Sequence, residues 1–239
     1  LIETNQLIVD GWSTADFSFP VFVEENDGFQ YPKKKNRLIE TDYATGAIKD
    51  EIKAWPSISK DYVLYCPTAT LKDMREIKRW AKDTGNLRAS DEPDVYYEIL
   101  DVAIDKTKID DISGYRISLH FTTQPFGFEL NPDKLTLKNG DTFFNRTNAP
   151  MYPRIKVVGN SQDETRITIG EQTIRLKEIN NSLTIECKYL EQDVLDSNGN
   201  RANSIMYGEF FEVPKDSENE VVLSAGIDYI EMLGRWAWL

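Results

Sequence analysis

Tyr115-Arg116-Ile117-Ser118-Leu119-His120-Phe121 alternates apolar and polar side chains. That is the period-two pattern of a strand with one face in a core and the other towards water. Comparable runs recur in both directions along the chain. Val21-Phe22-Val23 and Tyr62-Val63-Leu64-Tyr65 precede it, and Arg154-Ile155-Lys156-Val157-Val158 and Leu183-Thr184-Ile185-Glu186-Cys187-Lys188-Tyr189 follow. Each has strand length, is rich in β-branched and aromatic residues, and is bounded by Gly, Asn, Asp or Pro. The fold class this predicts is all-β. Asn139-Gly140, between 134–138 and 142–145, and Asn198-Gly199, inside 196–200, supply the positive φ that tight turns need and predict two hairpins.

One segment departs from the strand pattern. From Leu71 to about Asp83, residues Leu71, Met74, Ile77, Trp80 and Ala81 recur at helical spacing, with charged residues between them. Thr70 and Asp73 form a capping-box signature at its start, and Gly85 stands where a left-handed residue would end it. Such a stripe covers a sheet, which is the reading of Trp80. A boundary is expected near 129–132, where Gln124-Pro125-Phe126-Gly127-Phe128 closes a strand and Asn131-Pro132-Asp133 reads as a turn. The expectation is two domains, 1–130 and 131–239. A projecting loop is expected over 24–37, with Phe29 and Tyr31 ahead of Lys33-Lys34-Lys35, long enough to reach a neighbouring subunit.

Composition narrows the function. The 239 residues carry 28 Lys and Arg against 40 Asp and Glu, a net charge of −12, unlike a surface built to grip phosphates. No apolar run approaches the roughly 18 residues a membrane-spanning helix needs. Residues 1–10 lack the pattern of a secretory leader, although the chain does not open on Met. Two cysteines, Cys66 and Cys187, form no disulfide framework and no four-Cys metal site, and suit a reducing compartment.

Motifs for chemistry are absent. His120 is the sole histidine, so neither His-based metal sites nor zinc-protease spacing is available. Gly11-Trp12-Ser13-Thr14-Ala15 lacks the second glycine of a nucleophile elbow, and no phosphate-binding glycine loop occurs. Carboxylates at 24–25, 91–94 and 110–111 sit in loop-like contexts where solvated charge is the ordinary reading. Placing Gly199 sixth in a calcium loop puts Val194 at the first ligand position, which excludes one. No catalytic, cofactor or metal residue is assigned. Among the aromatics, alternation buries one of each adjacent pair in Tyr96-Tyr97, Phe143-Phe144 and Phe210-Phe211, whereas Phe126/Phe128 and Trp236/Trp238 are expected to share a face.

The order of elements carries a resemblance. Residues 71–97 (LKDMREIKRWAKDTGNLRASDEPDVYY) resemble the helix, short strand, acidic turn and tyrosine strand of the distal tail (Dit) proteins of long-tailed, non-contractile phages and prophages. Residues 121–128 (FTTQPFGF) resemble that family's closing strand of the N-terminal domain, and 145–159 (NRTNAPMYPRIKVVG) the opening of its C-terminal domain. Residues 183–200, 223–230 (LSAGIDYI) and 235–239 (RWAWL) resemble the remainder, in the same order. The positions matched are Trp80, Gly85, Tyr97, Pro125, Phe126, Pro153, Gly226 and Trp236. One departure is Thr41-Asp42-Tyr43-Ala44-Thr45-Gly46, which keeps only the final glycine of a Pro-Gly-x-x-Gly turn frequent in relatives.

The resemblance implies an N-terminal β-sandwich with one flanking helix over 1–130 and a galectin-like β-sandwich over 131–239. It implies a virion structural protein of the siphovirus tail tip or baseplate: a hexameric ring joining the tail-tube protein to the tail-tip protein and, in many phages, holding receptor-binding proteins. DNA passes through the lumen without specific binding, and neither cofactor nor membrane is involved. The chain is too short for the inserted carbohydrate-binding modules of longer relatives. The alternative function is a monomeric carbohydrate-binding module for host cell-wall saccharide, since such sandwiches are common sugar scaffolds. A two-carboxylate glycosidase stands third.

Overall fold

The structure, a computed structural model, describes residues 5–26, 32–40, 45–51, 54–110 and 114–239. The chain divides into two compact units, Leu1–Gly127 together with Leu239, and Phe128–Trp238. Both are built almost wholly of antiparallel strands, with one α-helix among the described residues.

The first unit contains β1 (Leu7–Val9), β2 (Trp12–Ser13), β3 (Phe22–Asn26), β4 (Asn36–Glu40), β5 (Ala47–Glu51), β6 (Ile58–Cys66), α1 (Leu71–Trp80), β7 (Gly85–Ala89), β8 (Glu92–Asp110) and β9 (Gly114–Glu129). Seven strands hydrogen-bond in the order β2-β1-β7-β8-β9-β6-β3, while β4 and β5 pair only with each other. The alternation that predicted β9 is realised: Tyr115, Ile117, Leu119 and Phe121 are buried. Facing them across the ladder are Cys66, Leu64, Tyr62 and Lys60 of β6.

Helix α1 closes this core with Met74, Ile77 and Trp80. Its capping box is present: the Asp73 amide donates to Thr70 Oγ1 at 3.4 Å and the Thr70 amide to Asp73 Oδ2 at 2.7 Å. Trp80 is fully buried, donates from Nε1 to the Trp12 carbonyl at 2.6 Å and meets the Phe17 ring edge-on at 5.8 Å. The helix stops at Trp80, three residues short of expectation. Ala81 turns extended while its amide still donates to the Ile77 carbonyl. Gly85 is therefore not a helix cap: it opens β7 at φ 102°, where a Cβ would collide with the Asp10 carboxylate.

The second unit contains β10 (Lys134–Leu137), β11 (Thr142–Asn145), β12 (Arg154–Ser161), β13 (Thr165–Ile169), β14 (Gln172–Leu176), β15 (Ile179–Glu186), β16 (Asp193–Leu195), β17 (Met206–Tyr207), β18 (Ser217–Leu223), β19 (Ile227–Leu233) and β20 (Ala237–Trp238). Two five-stranded sheets, β10-β19-β12-β15-β16 and β11-β18-β13-β14-β17, share one core. Ile155, Val157, Ile185 and Ile230 enter it from the first sheet; Ile167, Ile174, Val221 and Leu223 enter from the second. This is a β-sandwich.

Two expectations are corrected here. Asn139-Gly140 does not close a hairpin: β10 pairs with β19 and β11 with β18, so the turn carries the chain from one sheet to the other. Gly140 has φ 86° and its amide donates to the Val221 carbonyl, while Leu137 and Phe143 on either side both enter the shared core. Asn198-Gly199, by contrast, makes a tight turn, with the Asp196 amide on the Asn200 carbonyl and a bridge between Leu195 and Arg201. Trp236 and Trp238 do not share a face. Trp236 precedes β20, outside the alternation, and is 2% exposed, whereas Trp238 is 37% exposed.

Candidate assembly surface

Of the residues expected to reach a neighbour, Phe29 and Tyr31 lie outside the described residues. Lys33 and Lys35 are exposed, and the Lys35 amide donates to the Ala54 carbonyl at 2.8 Å. The Lys34 ammonium stands 5.8 Å over the Trp55 ring, which meets Phe126 edge-on at 5.3 Å. The lysine run is thus the root of the β4/β5 hairpin, anchored by a cation–π contact and an aromatic pair. All five residues of β4 are exposed, including Leu38 at 66% and Ile39 at 38%. Of the loop expected over 24–37, residues 24–26 belong instead to β3, which pairs with β6, and residues 36–37 open β4; residues 27–31 lie outside the described residues. The apolar pair Leu38-Ile39 between charged residues was the hairpin's signal in the sequence.

The matched positions of the first unit have structural work. Asp10 beside Gly85 accepts from the Asn86 amide at 2.9 Å and from Lys82 Nζ at 3.2 Å, and the amide first and then the lysine hold its pKa below the ordinary 3.8. Pro125 is buried in β9. Tyr97 lies under the Lys60 ammonium at 4.2 Å, and burial, followed by the nearby Glu92 carboxylate, pushes its phenol pKa up. Lys60 is 1% exposed and pairs with Glu92 at 3.1 Å; strand alternation places Lys60 on the inward face of β6, but nothing local in the sequence names its partner.

In the second unit Pro153 is buried and its carbonyl accepts from the Cys187 amide at 3.1 Å. Gly226 turns at φ 91° against Ser161, where a Cβ would come within 2.9 Å. The Arg146 guanidinium covers the Trp236 ring at 4.9 Å and donates to Glu129 at 2.6 Å. Glu129 also accepts from Trp238 Nε1 at 3.1 Å. Beside them Arg235 forks onto Glu186 at 2.6 and 2.8 Å. Fully buried Asn145 donates to the Pro214 carbonyl at 2.9 Å and accepts from the Thr147 hydroxyl at 2.8 Å. These groups brace turns around the sandwich.

Among the described residues no hydroxyl or thiol is hydrogen-bonded to the His120 ring. His120 Nδ1 contacts Asp61 Oδ1 at 2.9 Å and the Ser59 hydroxyl donates to the same oxygen at 2.8 Å, so the carboxylate stands between ring and hydroxyl, both His120 and Asp61 being partly exposed. Among the described residues no group of three or more His, Cys, Asp or Glu could hold a metal ion, and no helix is long and apolar enough to cross a membrane.

No protein-family pattern matches the chain, and no curated protein matches its sequence. Its fold, however, all-β with two units and one α-helix among the described residues, has a counterpart among solved structures. The crystal structure of the SPP1 Dit (gp 19.1) protein superposes with a TM-score of 0.73 at 14% identity, covering 96% of this chain and 98% of that one. That protein is described as a paradigm of the hub adsorption apparatus in phages infecting Gram-positive bacteria.

Proposed function

We propose that this chain is a non-enzymatic structural subunit of a phage tail hub. The observation that carries the reading is the match in fold to SPP1 Dit over nearly the full length of both chains. In this reading the unit over 1–130 forms a six-membered ring and the galectin-like unit over 131–239 lies outside it. The ring joins the last tail-tube ring to the tail-tip protein and holds adsorption proteins in the virion.

Physical chemistry supports the parts. A closed ring needs a heterologous interface, one subunit's projecting element on a different patch of the next, and the anchored β4/β5 hairpin with its exposed Leu38 is such an element. A net charge of −12 suits a channel wall that must release DNA rather than hold it. The test is the mass of the purified protein across concentrations, by light scattering after size exclusion and negative-stain imaging. A six-subunit species with a central hole is expected. A strict monomer under every condition overturns the hub, and binding of that monomer to host cell-wall saccharide favours a sugar-binding module.

A further inference from the structure

Five of the chain's 28 cations stand along one exposed stripe of α1 and its end: Lys72, Arg75, Lys78, Arg79 and Lys82. Positions 72, 75, 79 and 82 follow the three- and four-residue steps that place side chains in one row. Among the described residues only Lys82 of this row has a salt bridge, to Asp10. Leu71, at the start of the row, is 56% exposed. On an acidic protein such a stripe is not a neutral solvated face.

Its counterpart lies on the same unit. In β8, Tyr97 and Ile99 point into the core, while Leu100, Asp101, Ala103 and Asp105 are exposed. Leu100 is 47% exposed, and neither Asp101 nor Asp105 has a salt bridge among the described residues. Pairing of β7 with β8 ends at Gly85↔Ile99, so this stretch has no β7 neighbour along it. The two patches are opposite in charge: Lys72, Arg75 and Arg79, none in a salt bridge among the described residues, line the helix, while Asp101 and Asp105 share with Ala103 one exposed face of the strand. Spacing agrees as well, at about 13 Å from position 101 to 105 along a strand and about 10 Å from 72 to 79 along a helix, within reach of Lys and Arg side chains. The helix covers the core side of the sheet and the carboxylates leave its outer side, so the patches of one copy do not meet.

We propose that the α1 stripe docks on the Asp101–Asp105 face of β8 in a second copy of this chain, a head-to-tail contact that repeats around the ring. This rests on the hub reading and names a surface for it. The attraction is between exposed charges, so it weakens as salt shortens the screening length from about 8 Å at 0.15 M to about 3 Å at 1 M.

The test uses two variants of the full chain, Lys72→Glu with Arg75→Glu, and Asp101→Lys with Asp105→Lys, with melting curves as the control for folding. Each alone should need about tenfold more protein to assemble at 0.15 M salt. A 1:1 mixture should assemble like the wild type, because each reversed patch then meets a complementary one. Should either reversal prevent folding, Lys72→Gln with Arg75→Gln and Asp101→Asn with Asp105→Asn replace them, and each should again weaken assembly. Variants that assemble as the wild type does, or a folded mixture that stays monomeric, overturn this contact while the hub reading stands. A wild type that is monomeric under every condition overturns both.

Discussion

The Lys60 ammonium is enclosed between the Glu92 carboxylate, 3.1 Å away, and the face of the Tyr97 ring, 4.2 Å from its centroid. Its side chain is 2% exposed and that of Glu92 11%, so neither charge has water to fall back on. Removing one partner leaves the other buried and unpaired. Glu92→Ala should therefore cost about 3 to 5 kcal/mol. Lys60→Met combined with Glu92→Leu should stay within about 1 to 2 kcal/mol of the wild type, since well-packed apolar replacements of a buried pair are often neutral. Urea unfolding of the three proteins distinguishes this from a surface pair, for which both changes would be small.

Asp10 gives the first unit a dependence on acid. Its carboxylate pKa is depressed in the folded chain by the Asn86 amide first and by Lys82 next. The sign follows: the unfolded chain binds a proton more readily, so the stabilisation is complete above the ordinary value of 3.8 and is lost as pH falls through the lower folded value. The gap in unfolding midpoint between wild type and Asp10→Ala should be constant from pH 7 to 5 and shrink below about pH 3.8. A gap unchanged at pH 3 would show that the neutral side chain supports the turn equally well.

Trp236 packs within its own sandwich and beneath Arg146. Trp236→Ala should lower stability by about 3 to 5 kcal/mol. An unchanged melting temperature together with lost partner binding would instead make Trp236 an interface residue.

Deleting residues 28–35 removes the approach to the β4/β5 hairpin and the Lys34 contact to Trp55. The variant should remain folded, with the melting curve of the first unit as the check, and should be monomeric by light scattering. Rings formed as readily as by the wild type would remove this element from the interface.

Much of this architecture was legible because alternation and helical spacing are local. The strand 115–121, the helix start at Thr70 and the burial of one member of each pair Tyr96-Tyr97, Phe143-Phe144 and Phe210-Phe211 each depend on neighbours within a few positions. What stayed hidden depends on remote partners. Asn139-Gly140 has the chemistry of a hairpin turn, yet whether its strands pair is decided by β18 and β19, some 80 residues later in the chain. The helix ends at Trp80 because residue 81 turns extended before Gly85 meets Asp10 from the first strand pair. Lys60 was legible in principle: positions 58, 60, 62, 64 and 66 share one face of β6. Finding its partner Glu92 needed the sheet order. Of the candidate assembly surface, the lysine run was read and the neighbouring apolar pair Leu38-Ile39 was not, because its exposure follows from a β4/β5 pair that joins no other strand among the described residues.

Cys66 and Cys187 are each fully enclosed, and burial drives both thiols up to about 12. Neither presents a thiolate at neutral pH, and neither is accessible to a neighbour. The folded chain therefore needs no reducing surroundings to avoid covalent scrambling. A cysteine placed anywhere on the surface would be the sole reactive thiol of the folded protein, a chemical address for a dye or a cross-linker without prior removal of the native pair.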